Sequence, residues 1–156
     1  MKRDFFHTGL NVSRSYLEDL ATLANNLRTA LLGDYPISAP TLAIGSNKDD
    51  VASAAFTYTI NGIQYQKTAV TTGTGPGATV VPEDTYGAVA FDIDAAGTIT
   101  AVDAAANATG YATAALAIAG LPAAAATKCR MGWITVIGTA AAFTLGTTLL
   151  DAANTA

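Results

Sequence analysis

Ala55-Phe56-Thr57-Tyr58-Thr59-Ile60-Asn61-Gly62-Ile63-Gln64-Tyr65-Gln66-Lys67 is the stretch that decides the fold class of this 156-residue chain. Large and polar residues alternate on both sides of Asn61-Gly62. Asn-Gly between two alternating runs is the favoured pair for a two-residue type I′ hairpin turn, because both central residues need positive φ. The register follows: Ile60 opposite Ile63, Tyr58 opposite Tyr65, and Phe56 opposite Lys67 on one face. Thr59 with Gln64 and Thr57 with Gln66 then form a polar face.

Working outward, Tyr86 to Asp103 predicts a second hairpin, with Val89, Phe91 and Ile93 on one face and Asp94-Ala95-Ala96-Gly97 as the turn. Between the hairpins, residues 71–79 read as an exposed loop broken by Gly73, Gly75, Pro76 and Gly77. Residues 108–120 change period; they are Ala-rich, with Thr109 able to cap and Gly120 and Pro122 able to end a short buried helix. Met131 to Ile137 reads as a core strand, Gly138 to Ala142 as a turn, and Ala141 to Leu145 as a weak return strand. Strands are not alternated with helices in a βαβ manner. The reading is an α+β chain whose body is mostly antiparallel β, sandwich- or barrel-like, with one short embedded helix.

Ahead of the body, Ser15 to Leu32 predicts a helix. Ser15 and Glu18 form a capping box, Gly33 stands where a left-handed C-cap belongs, and Pro36 prevents continuation. Leu17, Leu20, Ala24, Leu27 and Leu31 step by 3, 4, 3, 4, an a/d seam over two heptads, and Leu23 widens it. That stripe suits packing on the chain's own body or on another copy; two heptads do not separate the two. Residues 1 to about 14 form an arm whose Phe5 and Phe6 are costly to leave in water, so it should dock. Residues 34–54, with two prolines and the polar run Asn47-Lys48-Asp49-Asp50, read as a linker. Five of the eight Lys and Arg lie in 1–50, which places the division at 1–50 (arm, amphipathic helix, linker) and 51–156 (β-rich body).

Composition narrows the function. Ala (34) and Thr (23) dominate, charged residues are 13%, and the net charge is −4, so a strongly basic nucleic-acid binder is excluded at the level of the whole chain. One Cys excludes a disulfide scaffold. The N-terminus lacks the apolar stretch of a signal peptide, so the chain is expected to stay in the cytosol where it is made. Residues 104–127 and 131–150 are uncharged, but their small residues, glycines and threonines make poor membrane spans. Low charge and small side chains suit a surface that is mostly interface.

The residues offer little chemistry. His7 has no orienting acid beside it. Cys129 lies between Lys128 and Arg130, whose charge could activate a thiol, yet no base accompanies it. Asp92, Asp94 and Asp103 with Gly97 match part of a calcium loop, but Ala96 occupies a ligand position and the flanks are strands; a hairpin turn explains the same residues. Glu83-Asp84 reads as a solvated turn rather than half of a glycosidase pair. The glycine loop lacks the Gly-Lys-Ser/Thr and following helix of a phosphate cradle. Asn11-Val12-Ser13 and Asn107-Ala108-Thr109 match the glycosylation triplet without a secretion signal. No catalytic residue, cofactor or metal ligand is assigned.

Phe56 to Tyr65, then Val81-Pro82-Glu83-Asp84-Thr85-Tyr86-Gly87-Ala88-Val89-Ala90, Asp92 to Thr100, Asn107-Ala108-Thr109-Gly110-Tyr111, Gly132-Trp133-Ile134-Thr135-Val136 and Phe143 to Thr148 together give the chain a resemblance to structural proteins of tailed bacteriophages. Order and spacing carry it, over roughly residues 55 to 156; the arm and helix take no part. The resemblance implies a virion protein without catalysis, made in the bacterial cytoplasm. The likeliest kind is a head decoration, or cement, protein bound to the major capsid protein in many copies, often as a homotrimer. It implies no cofactor, no direct nucleic-acid contact and no membrane. Other virion parts (head fibre, tail-tube or adaptor) and a glycan- or host-binding module are the alternatives. Phe5, Phe6, Leu17, Leu20, Ala24, Leu27 and Leu31 are the expected oligomer or capsid interface.

Overall fold

A computed structural model describes residues 16–25, 27, 33–47 and 49–151. Helix α1 is described over residues 16–25, with residue 27 also helical. Ten strands and a second helix follow: β1 (Leu42–Ile44), β2 (Val51–Ser53), β3 (Phe56–Ile60), β4 (Ile63–Lys67), β5 (Val70–Thr74), β6 (Val80–Val81), β7 (Tyr86–Asp94), β8 (Ile99–Asp103), α2 (Ala114–Ala119), β9 (Lys128–Ile137) and β10 (Phe143–Thr144). All the sheet pairings are antiparallel, in four small sheets ordered β1-β2-β5, β3-β4, β8-β7-β9 and β6-β10. The chain is α+β with a β-rich body, as its alternation implies.

The first hairpin forms in the register its sequence dictates: Phe56 pairs with Lys67, Tyr58 with Tyr65 and Ile60 with Ile63. Asn61 and Gly62 take φ of 51° and 71°, the left-handed pair a type I′ turn requires. The Tyr58 and Tyr65 rings stack with centroids 5.5 Å apart, and Phe56, Tyr58 and Ile60 are buried. The face read as polar is half wrong, because Thr59 is buried too. Its cause is the stretch read as a linker. Residues 33–38 run along the free edge of β3: Thr59 N–H donates to Tyr35 O at 3.0 Å, Ile37 N–H to Thr57 O at 2.7 Å, and the Thr59 hydroxyl to Gly33 O at 2.5 Å. Two more pieces of the expected linker are β1 and β2. The first part of the expected loop at 71–79 is strand instead. Gly73 lies in β5, packed so close to Val51 that a Cβ there would sit 1.4 Å from its carbonyl oxygen, and Pro76 is buried.

Strand β7 is the centre of the body. It pairs with β8, closing the second hairpin with Ile93 opposite Ile99, and with β9 on its other side. Val89, Phe91 and Ile93 enter the main core with Phe56, Tyr58, Val136, Phe143 and Leu145. The opposite face carries Ala88, which packs against Ala104 and Ala117 of α2, with Tyr86 and Tyr111 alongside. Small residues let the helix approach the strand closely. The helix starts at Thr113, which accepts from Leu116 N–H, not at Thr109. Gly110 at φ +73° and the pairing of Tyr111 with Tyr86 hold residues 110–111 out of helical conformation. Of α2, only Ala117 is fully buried.

Strand β9 begins at Lys128, earlier than its apolar run. A bulge at Met131, where Phe91 faces Gly132 and Asp92 faces Arg130, switches its inward set from Cys129 and Met131 to Ile134 and Val136. Residues 143–144 do not return along β9; they pair with Val80–Val81 as β10-β6. Gly138 and Glu83 are bridged instead, with Asp84 N–H donating to Gly138 O.

Candidate functional site

Cys129, Asp92, Asp94 and Asp103, singled out for chemistry, are engaged structurally. Cys129 is fully buried, and burial, with the Asp34 and Asp92 charges adding, pushes its thiol up to about 12. The flanking cations do not activate it, because neighbours on a strand point to the opposite face. Arg130 instead grips Asp92 through two bonds, Nε to Oδ1 at 2.8 Å and a terminal nitrogen to Oδ2 at 3.2 Å, and Lys128 Nζ donates to the Thr100 hydroxyl.

The calcium-like triplet is dispersed. Asp92 is taken by Arg130. Asp94 Oδ1 accepts from Ala96 and Thr98 N–H, pinning the β7–β8 turn. Asp103 accepts from the Thr79 hydroxyl. Among the described residues no group of three His, Cys, Asp or Glu is placed to hold a metal. His7, Asn11, Phe5 and Phe6 lie outside the described residues.

Asn107, the other glycosylation-like asparagine, is an internal fastener. It is 1% exposed; its Nδ2 donates to Ala88 O at 2.9 Å and its Oδ1 accepts from Ala88 N–H at 3.0 Å. Its Nδ2 shares Ala88 O with Ala104 N–H, so the side chain extends the β7–β8 pairing past the end of β8.

Two apolar surfaces remain. The first is α1, every described residue of which is exposed. Leu17 is 60% exposed, Leu20 48%, Leu23 59% and Leu27 56%, and Ala24 lies on the same face. The seam is brought together as its spacing requires, but it does not pack on the body. Leu31 and the capping Ser15 lie outside the described residues. Gly33 does not take the left-handed conformation expected of a C-cap; its carbonyl instead receives Tyr35 N–H and the Thr59 hydroxyl.

The second surface was not legible in the sequence. A groove of about 380 Å³ runs between β1 and β9, lined by Leu42, Ile44, Val51, Trp133, Ile134 and Leu150. Trp133, the chain's one tryptophan, is 51% exposed there, on the side of β9 the bulge turns away from the core. Behind β1 a second, more open groove of about 450 Å³ is lined by Ala43, Ala52, Ala54 and Val70, with Ser53, whose buried hydroxyl has no partner. Among the described residues no helix is long and apolar enough to cross a membrane. The chain matches no protein-family model, no curated protein and no solved structure at a significant level.

Proposed function

We propose that the chain is a non-enzymatic structural protein of a phage virion, a decoration or cement protein that binds the capsid lattice in many copies and stabilises it. One observation carries the reading: α1 stands clear of the body with its leucine seam exposed. A lone helix is marginal in water, and its stability comes from packing an apolar face. The four half-exposed leucines contribute about 1 kcal/mol each when covered, so the seam favours assembly. The small, uncharged side chains of the body, and the structural engagement of Cys129, Asp92 and Asp94, support the same reading. A helix projecting from a β-rich body also suits the stalk of a head fibre, the second reading.

Copy number tests the role. Particles banded on a density gradient are digested, and this chain is quantified against the most abundant shell protein by mass spectrometry. Hundreds of copies per particle support decoration. A handful to a few dozen favour the fibre, and absence from particles overturns both. Leu20→Asp with Leu27→Asp tests the seam: the expected product is a monomer with unchanged β content, and a fully assembled product refutes the seam.

A further inference from the structure

The four exposed leucines of the described part of α1 supply one contact between copies. A stable pair of proteins buries about 800 Å² on each partner. A second contact between copies would extend that area, and the body offers one place with the features of an unfilled site.

That place is the open edge of β1. In the β1-β2 pairing Gly45 N–H donates to Asp50 O and Ala54 N–H to Thr41 O, so residues 41, 43 and 45 bond to β2. Leu42 and Ile44 alternate with them and turn their backbone N–H and C=O groups to the outer edge. Among the described residues these four groups meet no partner. The edge carries no charge, proline or bulge, the devices that protect edges from strand addition. Two grooves adjoin it: Leu42, Val51 and Trp133 line one, Ala52, Ala54 and Val70 line the other, and Ala43 and Ile44 line both.

The occupant must be extended and must present apolar side chains to both faces at once. Consecutive residues of a strand do so, since they point to opposite sides. One place in the chain's own sequence outside the described core has two adjacent large apolar residues with polar neighbours: Arg3-Asp4-Phe5-Phe6-His7-Thr8. Residues 9–15, between that segment and α1, span up to about 25 Å when extended.

We propose that the open edge of β1 receives residues 3–8 of a second copy as an added strand, with Phe5 and Phe6 seated in the two flanking grooves. Strand addition of this kind takes its affinity from backbone bonds and its specificity from pockets for alternate side chains. The proposal rests on the reading of the chain as self-assembling, and names a second contact for that assembly.

Trp133 reports on it directly, because the full chain holds no other tryptophan. Acrylamide quenching and emission wavelength are measured on the full-length chain over a dilution series. A ring that is 51% exposed in the single chain becomes covered in the assembly, so its quenching constant falls about fivefold and its emission shifts to the blue as concentration rises. Phe5→Ser with Phe6→Ser abolishes the change. Ile44→Pro, which removes an edge donor while sparing the bonds to β2, does the same. Protection that is unchanged in the Phe5→Ser/Phe6→Ser chain overturns the arm as occupant. Protection that depends on the two phenylalanines but not on concentration places the arm on its own body and overturns the second copy. No protection at any concentration overturns the site itself. Failure of the virion reading is distinct: it appears in particle copy number and leaves the Trp133 signal in place.

Discussion

Asn107→Ala removes both bonds that the buried side chain makes to Ala88 and leaves the Ala88 N–H of the central strand without a partner, while Ala88 O keeps its bond from Ala104 N–H. An orphaned buried group costs about 1–3 kcal/mol. Water does not reach it easily, since Asn107 is 1% exposed and Ala88 is fully buried. The expected loss is about 2 kcal/mol, and for a domain of this size that lowers Tm by about 6 °C. Urea denaturation followed by far-UV circular dichroism measures it, with the midpoint falling at unchanged m. Asn107→Asp sharpens the test. A protonated carboxyl can donate to Ala88 O as the amide does, whereas a carboxylate cannot. The folded state therefore raises the pKa of the new carboxyl above its unfolded value of about 3.9. Stability is then fully present below that value and is lost as pH rises through the folded pKa, so this variant should lose most against the parent chain near neutrality and least near pH 4. A loss under 1 kcal/mol for Asn107→Ala, or a pH-independent difference for Asn107→Asp, refutes the fastener role.

Three further outcomes follow from buried polar contacts. Arg130→Met strands the Asp92 carboxylate and should cost about 3–5 kcal/mol at neutral pH, while Asp92→Leu with Arg130→Met costs less than the single change in the same denaturation assay. Thr59→Val removes the hydroxyl bond to the Gly33 carbonyl, which keeps its bond from Tyr35 N–H, and should cost about 1 kcal/mol, with hydrogen exchange accelerating first at Tyr35 and Ile37. Cys129 should resist a disulfide reagent in the folded chain and react at once in denaturant; since its folded pKa of about 12 lies above the ordinary thiol value, stability falls as pH rises above about 9, where the unfolded thiol ionises first.

The sequence by itself determined what is local. Asn61-Gly62 imposes two positive φ angles, and alternation on each side sets five residue pairs without help from the rest of the chain. The turn at Asp94–Gly97 and the heptad spacing of Leu17 to Leu27 are legible for the same reason: a few neighbouring residues specify them. Tertiary structure decided everything that needed a partner far along the chain. Thr59 reads as a surface threonine until residues 33–38 cover it. Asn107 reads as a loop asparagine until it meets Ala88 of β7. The bulge at Met131 reverses which side of β9 faces the core, and so brings Trp133 into a groove beside β1 rather than into the interior. Periodicity reports the environment of one strand at a time. It cannot report which distant backbone groups lack partners, and satisfying those groups joins residues 33–38 to β3 and Asn107 to β7 while leaving the edge of β1 open.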